Sequence, residues 1–364
     1  MKQYTSFQKK VNNFVMDVTM KKLQFGIVGV GNIAPLHALA IQALPEVELL
    51  AVVTRNAERG QAFVEEYGGV WQADYAELLQ RPDVDAVAIC TPHDLHAPMT
   101  IAAAQAGKHV LCEKPMARTT AECDEMLEAC DRAGVMLGVV FQSRFEPLSL
   151  QLKRLIDEGT LGRIVWNSAN TIWYRTDDYY RSGPWRGTWE HEGGGVLINQ
   201  AIHAIDLMLW LTGMPDRVVA QTRTLNHAIE VEDGALAMLE YADKRLGLIQ
   251  ATTAAYPGYA ERLEVYGTRG SAIYHKGEGR LEWHLLDPRE DHVLGANISS
   301  GAANPMDITA AGHAAVFQDF TEAVRQGRRP LIDGHEGRRS VQLVEAIYRS
   351  ARSGGAISLS LKAP

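Results

Sequence analysis

The chain has 364 residues, 46% hydrophobic and 22% charged, with a net charge of −8. That length predicts two domains at roughly 100–200 residues each. The acidic balance argues against nucleic acid and membrane surfaces as partners, because both need a basic field to reach phosphate. No apolar run is long enough to span a bilayer. The four cysteines, Cys90, Cys112, Cys123 and Cys130, form no C-x-x-C pair. They are expected as reduced core thiols of a cytoplasmic protein rather than a disulfide or zinc framework.

Residues 1–20 are polar and mixed, with neither the apolar stretch nor the cleavage site of a secretory signal. They are expected as a flexible extension, or as the product of an upstream start codon. From Leu23 to about Val140, apolar strands alternate with amphipathic helices: "LQFGIVGVG", "IAPLHALAIQAL", "VELLAVVT", "AERGQAFVEEYG", "VDAVAICTP", "LHAPMTIAAAQAG", "KHVLC", "TAECDEMLEACDRAG" and "VMLGVVF". Continuous apolar strands between helices predict a parallel sheet covered on both faces. The expected fold is therefore α/β, with a doubly wound Rossmann domain over residues 21–142.

Residues 143–364 read as an α+β domain for substrate binding and oligomerisation. "RIVWNSANTIWY", "DRVVAQTRTLN", "GALAMLEYA", "RLGLIQATTAAY", "ERLEVYGT" and "GSAIYH" predict a largely antiparallel sheet with one open face. That face is expected to pair subunits into a homodimer or homotetramer. One helix is predicted from about Gly195 to Leu211, and two more at roughly 310–326 and 336–352.

The first strand runs into Gly29-Val30-Gly31-Asn32-Ile33-Ala34, a G-x-G-x-x-A that opens a helix. Gly29 makes the tight turn, Gly31 admits a pyrophosphate, and Ala34 keeps helix and strand close. The helix N-terminus supplies free N–H groups for phosphate. A strand-to-helix setting near the chain start is the context this motif requires. At the end of the second strand stand Thr54 and Arg55, where a carboxylate would bind the ribose 2′-hydroxyl of NAD. Arg55 could instead pair with a 2′-phosphate, which tilts the expectation toward NADP, or stack over the adenine.

"HVLCEKPMA" ends the fifth strand at the carboxyl edge of the sheet, where doubly wound folds bind ligands. Lys114 is expected to point at the nicotinamide, and Pro115 stops the strand. A cis Lys114–Pro115 bond would lock its direction. In "GGGVLINQAIHAID", three glycines lead a helix on which Asn199, His203 and Asp206 can share a face.

The G-x-G-N-I-A loop, "CEKP" and "GGGVLINQAIHAID", in this order, resemble the Gfo/Idh/MocA family of NAD(P)-dependent oxidoreductases over residues 22 to 362. The resemblance implies that Lys114 and His203 act on a substrate carbinol. It implies Asp four residues before the histidine, where this chain has Asn199, which cannot titrate. "YYRSGPWRGTWEHEGGG" is similar to the branch containing sugar-nucleotide 3-dehydrogenases. By the same resemblance Thr91, Pro92 and His96 line the dinucleotide, Glu113 lies near its ribose, and Gln142 and Arg144 stand beside the nicotinamide. Tyr174, Tyr180, Trp185 and Arg186 are expected to form a sugar-sized pocket or a packed aromatic lid, with the last two also touching cofactor.

His93 and His96 lack a cysteine or carboxylate partner for zinc, so no metal is expected. His191, His313 and His335 are read as surface or capping residues. The expected activity is hydride transfer between NAD or NADP and a secondary hydroxyl or ketone of a pyranose, sugar derivative or cyclitol. Lysine serves as base once burial or a nearby positive charge lowers its pKa. The alternatives are an NAD-dependent glycosidase of the same family, working by transient oxidation and elimination, and a non-enzymatic dinucleotide sensor.

Overall fold

A computed structural model describes residues 21–295 and 310–359; the extension predicted at residues 1–20 lies outside them. β1 (Leu23–Val28), β2 (Val47–Val53), β3 (Val70–Gln72), β4 (Ala86–Ile89), β5 (His109–Cys112) and β6 (Leu137–Val139) form a parallel sheet in the order β3-β2-β1-β4-β5-β6. All four residues of β4 are buried, as are three of the four in β5. That is why these strands read as unbroken apolar runs. The order reverses between β1 and β4, which opens a crevice at their carboxyl ends. Helices α1 (Ala34–Gln42), α2 (Ala57–Tyr67), α3 (Tyr75–Gln80), α4 (His96–Gln105) and α5 (Thr120–Ala133) make the crossovers. Asn56, Asp74 and Thr119 cap α2, α3 and α5 by accepting backbone N–H groups.

After α6 (Pro147–Asp157) the chain builds a second sheet of nine strands. β7 (Ile164–Ile172) lies at its centre and pairs in parallel with β10 (Leu246–Thr252). β8 (Arg217–Arg223), β9 (Gly234–Glu240), β11 (Arg262–Gly267) and β12 (Gly270–His275) fill the remaining predicted places. β13 (Arg280–Leu285), β14 (His292–Gly295) and β15 (Ile357–Ser358) extend the sheet beyond the prediction. Apart from the β7–β10 pair, every pairing in the sheet is antiparallel. On its outer face Leu236, Met238 and Leu246 are exposed.

The helix predicted from Gly195 to Leu211 is broken. α7 (Asp177–Arg181) is followed by α8 (Val196–Asn199) and α9 (Ile202–Thr212). Between α8 and α9, the Ala201 N–H reaches back five residues to the Val196 carbonyl at 2.8 Å. This wide turn is a π-type bulge, a form common at functional sites. Its base is fixed by Glu232, whose carboxylate accepts the N–H groups of Gly195 and Leu197 at 3.0 Å each. A Cβ at Gly195 would stand 1.9 Å from the Glu232 carbonyl oxygen, so only glycine fits there.

The boundary predicted at residue 142 does not separate all contacts. α10 (Ala310–Gln326) packs on the Rossmann sheet, with Phe317 and Phe320 at 5.0 and 6.1 Å from the Phe25 ring. All three rings are buried, each contributing roughly 1.5–3 kcal/mol by area. α11 (Gly334–Ser353) lies against both β8 and α5. One apolar core runs from β4 and β5 through α9 and α11 into the second sheet. The two halves of the chain therefore share one continuous core. The four cysteines are free and buried.

Candidate active site

The cofactor cradle follows from the first turn. Gly29 sits at φ +93°, with its N–H on the Val53 carbonyl at 2.9 Å. A Cβ there would lie 2.7 Å from the Cys90 carbonyl oxygen. Gly31 and Asn32 are exposed, Ile33 is half-buried, and no side chain caps the start of α1. The α1 N-terminus thus presents N–H groups to the crevice, as a pyrophosphate requires. Ala34 is fully buried against the sheet. Thr91 and Pro92 flank the opening, and Thr91 Oγ1 is buried without a protein partner. A dinucleotide fits this donor set.

Thr54 accepts the Asn56 N–H through its hydroxyl at 3.4 Å, and Arg55 is exposed beside it. Arg59, which the sequence reading passed over, donates to the Val30 carbonyl at 2.7 Å. Arg59 thus sits against the glycine loop, and Arg55 stands exposed just after β2. His96 is fully buried, with its ring nitrogens 2.8 Å from the Pro115 carbonyl and 2.9 Å from the Thr91 carbonyl. Its expected place along the dinucleotide is corrected: it braces the two loops that face the cofactor. Gln142 is half-buried in the 3₁₀ turn after β6, close under Gly312 of α10.

The EKP turn has a cis Lys114–Pro115 bond. Glu113 lies 2.7 Å from His37 Nε2 and accepts the Lys114 backbone N–H at 3.1 Å. His313 Nε2 stands 3.8 Å from the same Glu113 oxygen, and the ring is buried. His313 is thus a core residue packed from α10, not the surface or capping residue expected. Burial would raise the Glu113 carboxyl, but His313 and His37 outweigh it and hold it well below the usual carboxylate range. His37, Glu113 and His313 offer donor atoms within 4.8 Å of one another, the one such group among the described residues. The 2.7 Å contact is a hydrogen bond, closer than the roughly 3.3 Å separating two ligands of a tetrahedral zinc. The trio reads as a brace for the EKP turn.

Lys114 Nζ donates to the Asn199 backbone carbonyl at 2.9 Å and to Asn199 Oδ1 at 3.3 Å. Burial pushes its pKa down to about 8; Glu113 and Glu192 oppose that shift, while Arg186 and Arg175 add to it. His203 lies edge-on to Phe141, ring centroids 6.1 Å apart, and its Nδ1 has no protein partner. Burial first, and then the Lys114 charge, hold it well below the ordinary histidine value, so the ring is neutral.

Around these two stands a network that the sequence reading largely missed. Asn199 Nδ2 donates to Glu192 Oε1, and Glu192 also accepts the Gly187 N–H. The Tyr179 hydroxyl gathers Arg186 Nη1 at 2.6 Å, Gln200 Nε2 at 3.0 Å and Asn199 Nδ2 at 3.4 Å. Arg175 and Arg186 both lie over the Tyr179 ring, at 5.4 and 4.3 Å. Arg186 also stacks on Trp185, whose ring meets His93 at 5.2 Å. Glu192 carried a signal, an acid directly before the glycine run; Tyr179 carried none beyond its neighbour.

One expected pocket residue, Arg144, is closed off from the crevice, while Tyr174 and Tyr180 pack on aromatic neighbours. Arg144 is 1% exposed and bound bidentately by Asp206, at 2.9 and 2.7 Å, and by Glu336 at 2.8 Å. It ties the turn after β6 to α9 and α11, so its assignment to substrate is corrected, and Asp206 is spent on the same pairing. Tyr174 turns to the opposite side of its strand from Trp173 and Arg175 and packs edge-on against Tyr256 at 5.3 Å. Tyr180 places its hydroxyl 2.7 Å from Thr253 and its ring on His227.

Residues 23–141 match the oxidoreductase family with an NAD-binding Rossmann fold, and residues 149–273 match the GFO/IDH/MocA C-terminal domain. The WlbA dehydrogenase of Bordetella pertussis, solved with NADH and UDP-GlcNAcA, is 35% identical with a TM-score of 0.81, covering 94% of this chain and 100% of that one. The chain belongs to the Gfo/Idh/MocA family. Two Bacillus subtilis scyllo-inositol 2-dehydrogenases are also similar. The NAD(+) enzyme is 29% identical over 94% of this chain and 97% of its own length. The NADP(+) enzyme IolW is 26% identical over 93% and 96%. As a Gfo/Idh/MocA oxidoreductase, the protein uses its Rossmann domain for a nicotinamide dinucleotide, NAD or NADP.

Proposed function

We propose that the protein moves a hydride between NAD(P) and a secondary carbinol of a sugar, sugar derivative or cyclitol, with Lys114 as the proton-handling base. The observation that carries this reading is an amine at the carboxyl edge of the sheet whose pKa is brought down to about 8 beside a neutral imidazole. A bound nicotinamide supplies the hydride acceptor or donor. In the oxidising direction the neutral Lys114 amine takes the hydroxyl proton as the carbinol C–H bond breaks. His203 hydrogen-bonds the oxygen as its charge develops, and Asn199 holds the resulting ammonium through two oxygens. Tyr179, Trp185, Arg175 and Arg186 form the wall that would seat the rest of the ring. Two guanidiniums over one tyrosine ring favour a substrate that carries an acid group. WlbA is a relative whose bound sugar nucleotide bears such a name.

Thr54 and Arg55 stand at the end of β2 in place of a carboxylate, with Arg59 one turn on, which supports acceptance of the 2′-phosphate of NADP. The open sheet face with Leu236, Met238 and Leu246 supports pairing of two copies, or two pairs. No described helix is long and apolar enough to cross a membrane, and we place the enzyme in the cytoplasm. The test is to incubate purified protein with NAD+ or NADP+ and a panel of hexoses, hexuronates, their nucleotide forms and inositols, following the absorbance of reduced nicotinamide. Net reduction with at least one polyol supports the reading. Glycoside cleavage without net reduction would replace it with the elimination chemistry.

A further inference from the structure

We propose that Glu192 is a positioning residue for the base: acting through the Asn199 side-chain amide, it sets the direction and the basicity of the Lys114 amine. This rests on the reading of Lys114 given above. Glu192 is 1% exposed, and Arg186 and Lys114 act on it through their charge, with no direct hydrogen bond from either among the described residues. Its carboxylate takes the Gly187 N–H on one oxygen and Asn199 Nδ2 on the other. An unpaired buried carboxylate is costly unless its hydrogen bonds serve the fold. Glu232 is such a case, because it caps the N-terminus of α8. Glu192 caps nothing on that helix; it holds a side-chain amide.

The geometry of that amide carries the inference. An amide has one donor end and one acceptor end. With Nδ2 bound to Glu192 and facing the Tyr179 hydroxyl, Oδ1 is committed to Lys114 Nζ at 3.3 Å. A protonated Glu192 could itself donate, and the amide would then be free to turn and withdraw Oδ1 from the amine. Burial brings the Glu192 carboxyl up to about 7, opposed by the Gly187 N–H, Asn199, Arg186 and Lys114. The groups facing it from the packed elements are Lys114 after β5, Arg186 in the preceding loop, Tyr179 and Tyr180 of α7, and Tyr348 of α11, while His93 after β4 meets its backbone carbonyl. The carboxylate that the sequence lacks at Asn199 thus enters from seven residues earlier, one amide removed from the amine. Its charge favours the protonated Lys114, so its removal lowers the amine's pKa further.

The test needs no substrate. Protein saturated with NAD+ is pulsed with cyanate across a pH series, and carbamylation of Lys114 is read by peptide mass spectrometry. The neutral amine reacts, so the midpoint reports its pKa. In Glu192→Gln the midpoint falls by about one pH unit; in Glu192→Asp, which keeps the charge, it stays near the wild-type value. Wild-type protein alone gives a second check, a curve with an additional inflection near pH 7 as Glu192 titrates. Melting and NAD+ binding of each variant report its fold separately. A Glu192→Gln midpoint equal to wild type overturns the proposal. If the variant does not fold, a wild-type curve with a single inflection overturns it. Failure to find any oxidised sugar would sink the catalytic reading and leave this coupling measurable.

Discussion

Arg144 separates a structural role from a substrate role. Replacing it with methionine removes three charge-assisted hydrogen bonds of 2.7 to 2.9 Å. Asp206, 0% exposed, keeps among the described residues only the Ser340 hydroxyl at 3.2 Å, while Glu336 retains Arg339. Leaving one member of a buried ion pair behind costs about 3–5 kcal/mol. At roughly 2–4 °C per kcal/mol, melting of Arg144→Met should fall by about 10 °C. Urea titration followed by tryptophan fluorescence should show the midpoint drop with little change in slope. The double variant Arg144→Met, Asp206→Asn should recover part of the loss, because the stranded charge is gone. KM for the sugar, measured on the folded fraction, should stay within about threefold of wild type. A variant that melts like wild type while its KM rises tenfold or more would refute this account of Arg144 and return it to the pocket.

Three further outcomes follow from the site. Deprotonated Lys114 is the active form, so kcat should rise with pH and level off above about 8, the pKa its burial imposes. At pH 7 that leaves about a tenth of the amine neutral, some 300-fold more than an unperturbed lysine would give. Arg186 pushes that pKa down, so Arg186→Gln should move the rising limb to higher pH, and a limb that does not move contradicts the electrostatic reading. Arg55→Ala should weaken NADP+ by about 10–100-fold in direct titration, with little change for NAD+. Equal losses for both cofactors would mean that Arg55 meets the adenine rather than a 2′-phosphate.

The Rossmann half was legible because its signals are local. Buried parallel strands show as unbroken apolar runs, and the glycine turn sits between a strand and a helix within a dozen residues. Lys114 and Asn199 were legible for the same reason, each placed by a motif at an element's end. What stayed hidden depends on distant partners or on phase. Arg144 leaves a strand end in the same way whether it faces a crevice or a buried acid, and its partners lie 62 and 192 positions away. His313 reads as one more polar residue of an amphipathic helix until α10 is laid across α1. Tyr179 and Tyr180 are adjacent, with their rings 5.2 Å apart, and only the start of α7 at Asp177 decides which hydroxyl meets Arg186. Strand alternation likewise sends Trp173 and Arg175 to one side and Tyr174 to the other. The π-type turn between α8 and α9 has no signature in its residues, and the Glu232 that holds the start of α8 comes from another strand's entry.

The central claim is that Lys114 carries the proton. Its most direct test is the turnover of Lys114→Met with NAD(P)+ and a polyol that the wild-type enzyme oxidises. The account predicts that kcat falls by about 10²–10⁴, the range of a lost general base, while the dinucleotide still binds and the melting temperature holds. Normal turnover by that variant would contradict it.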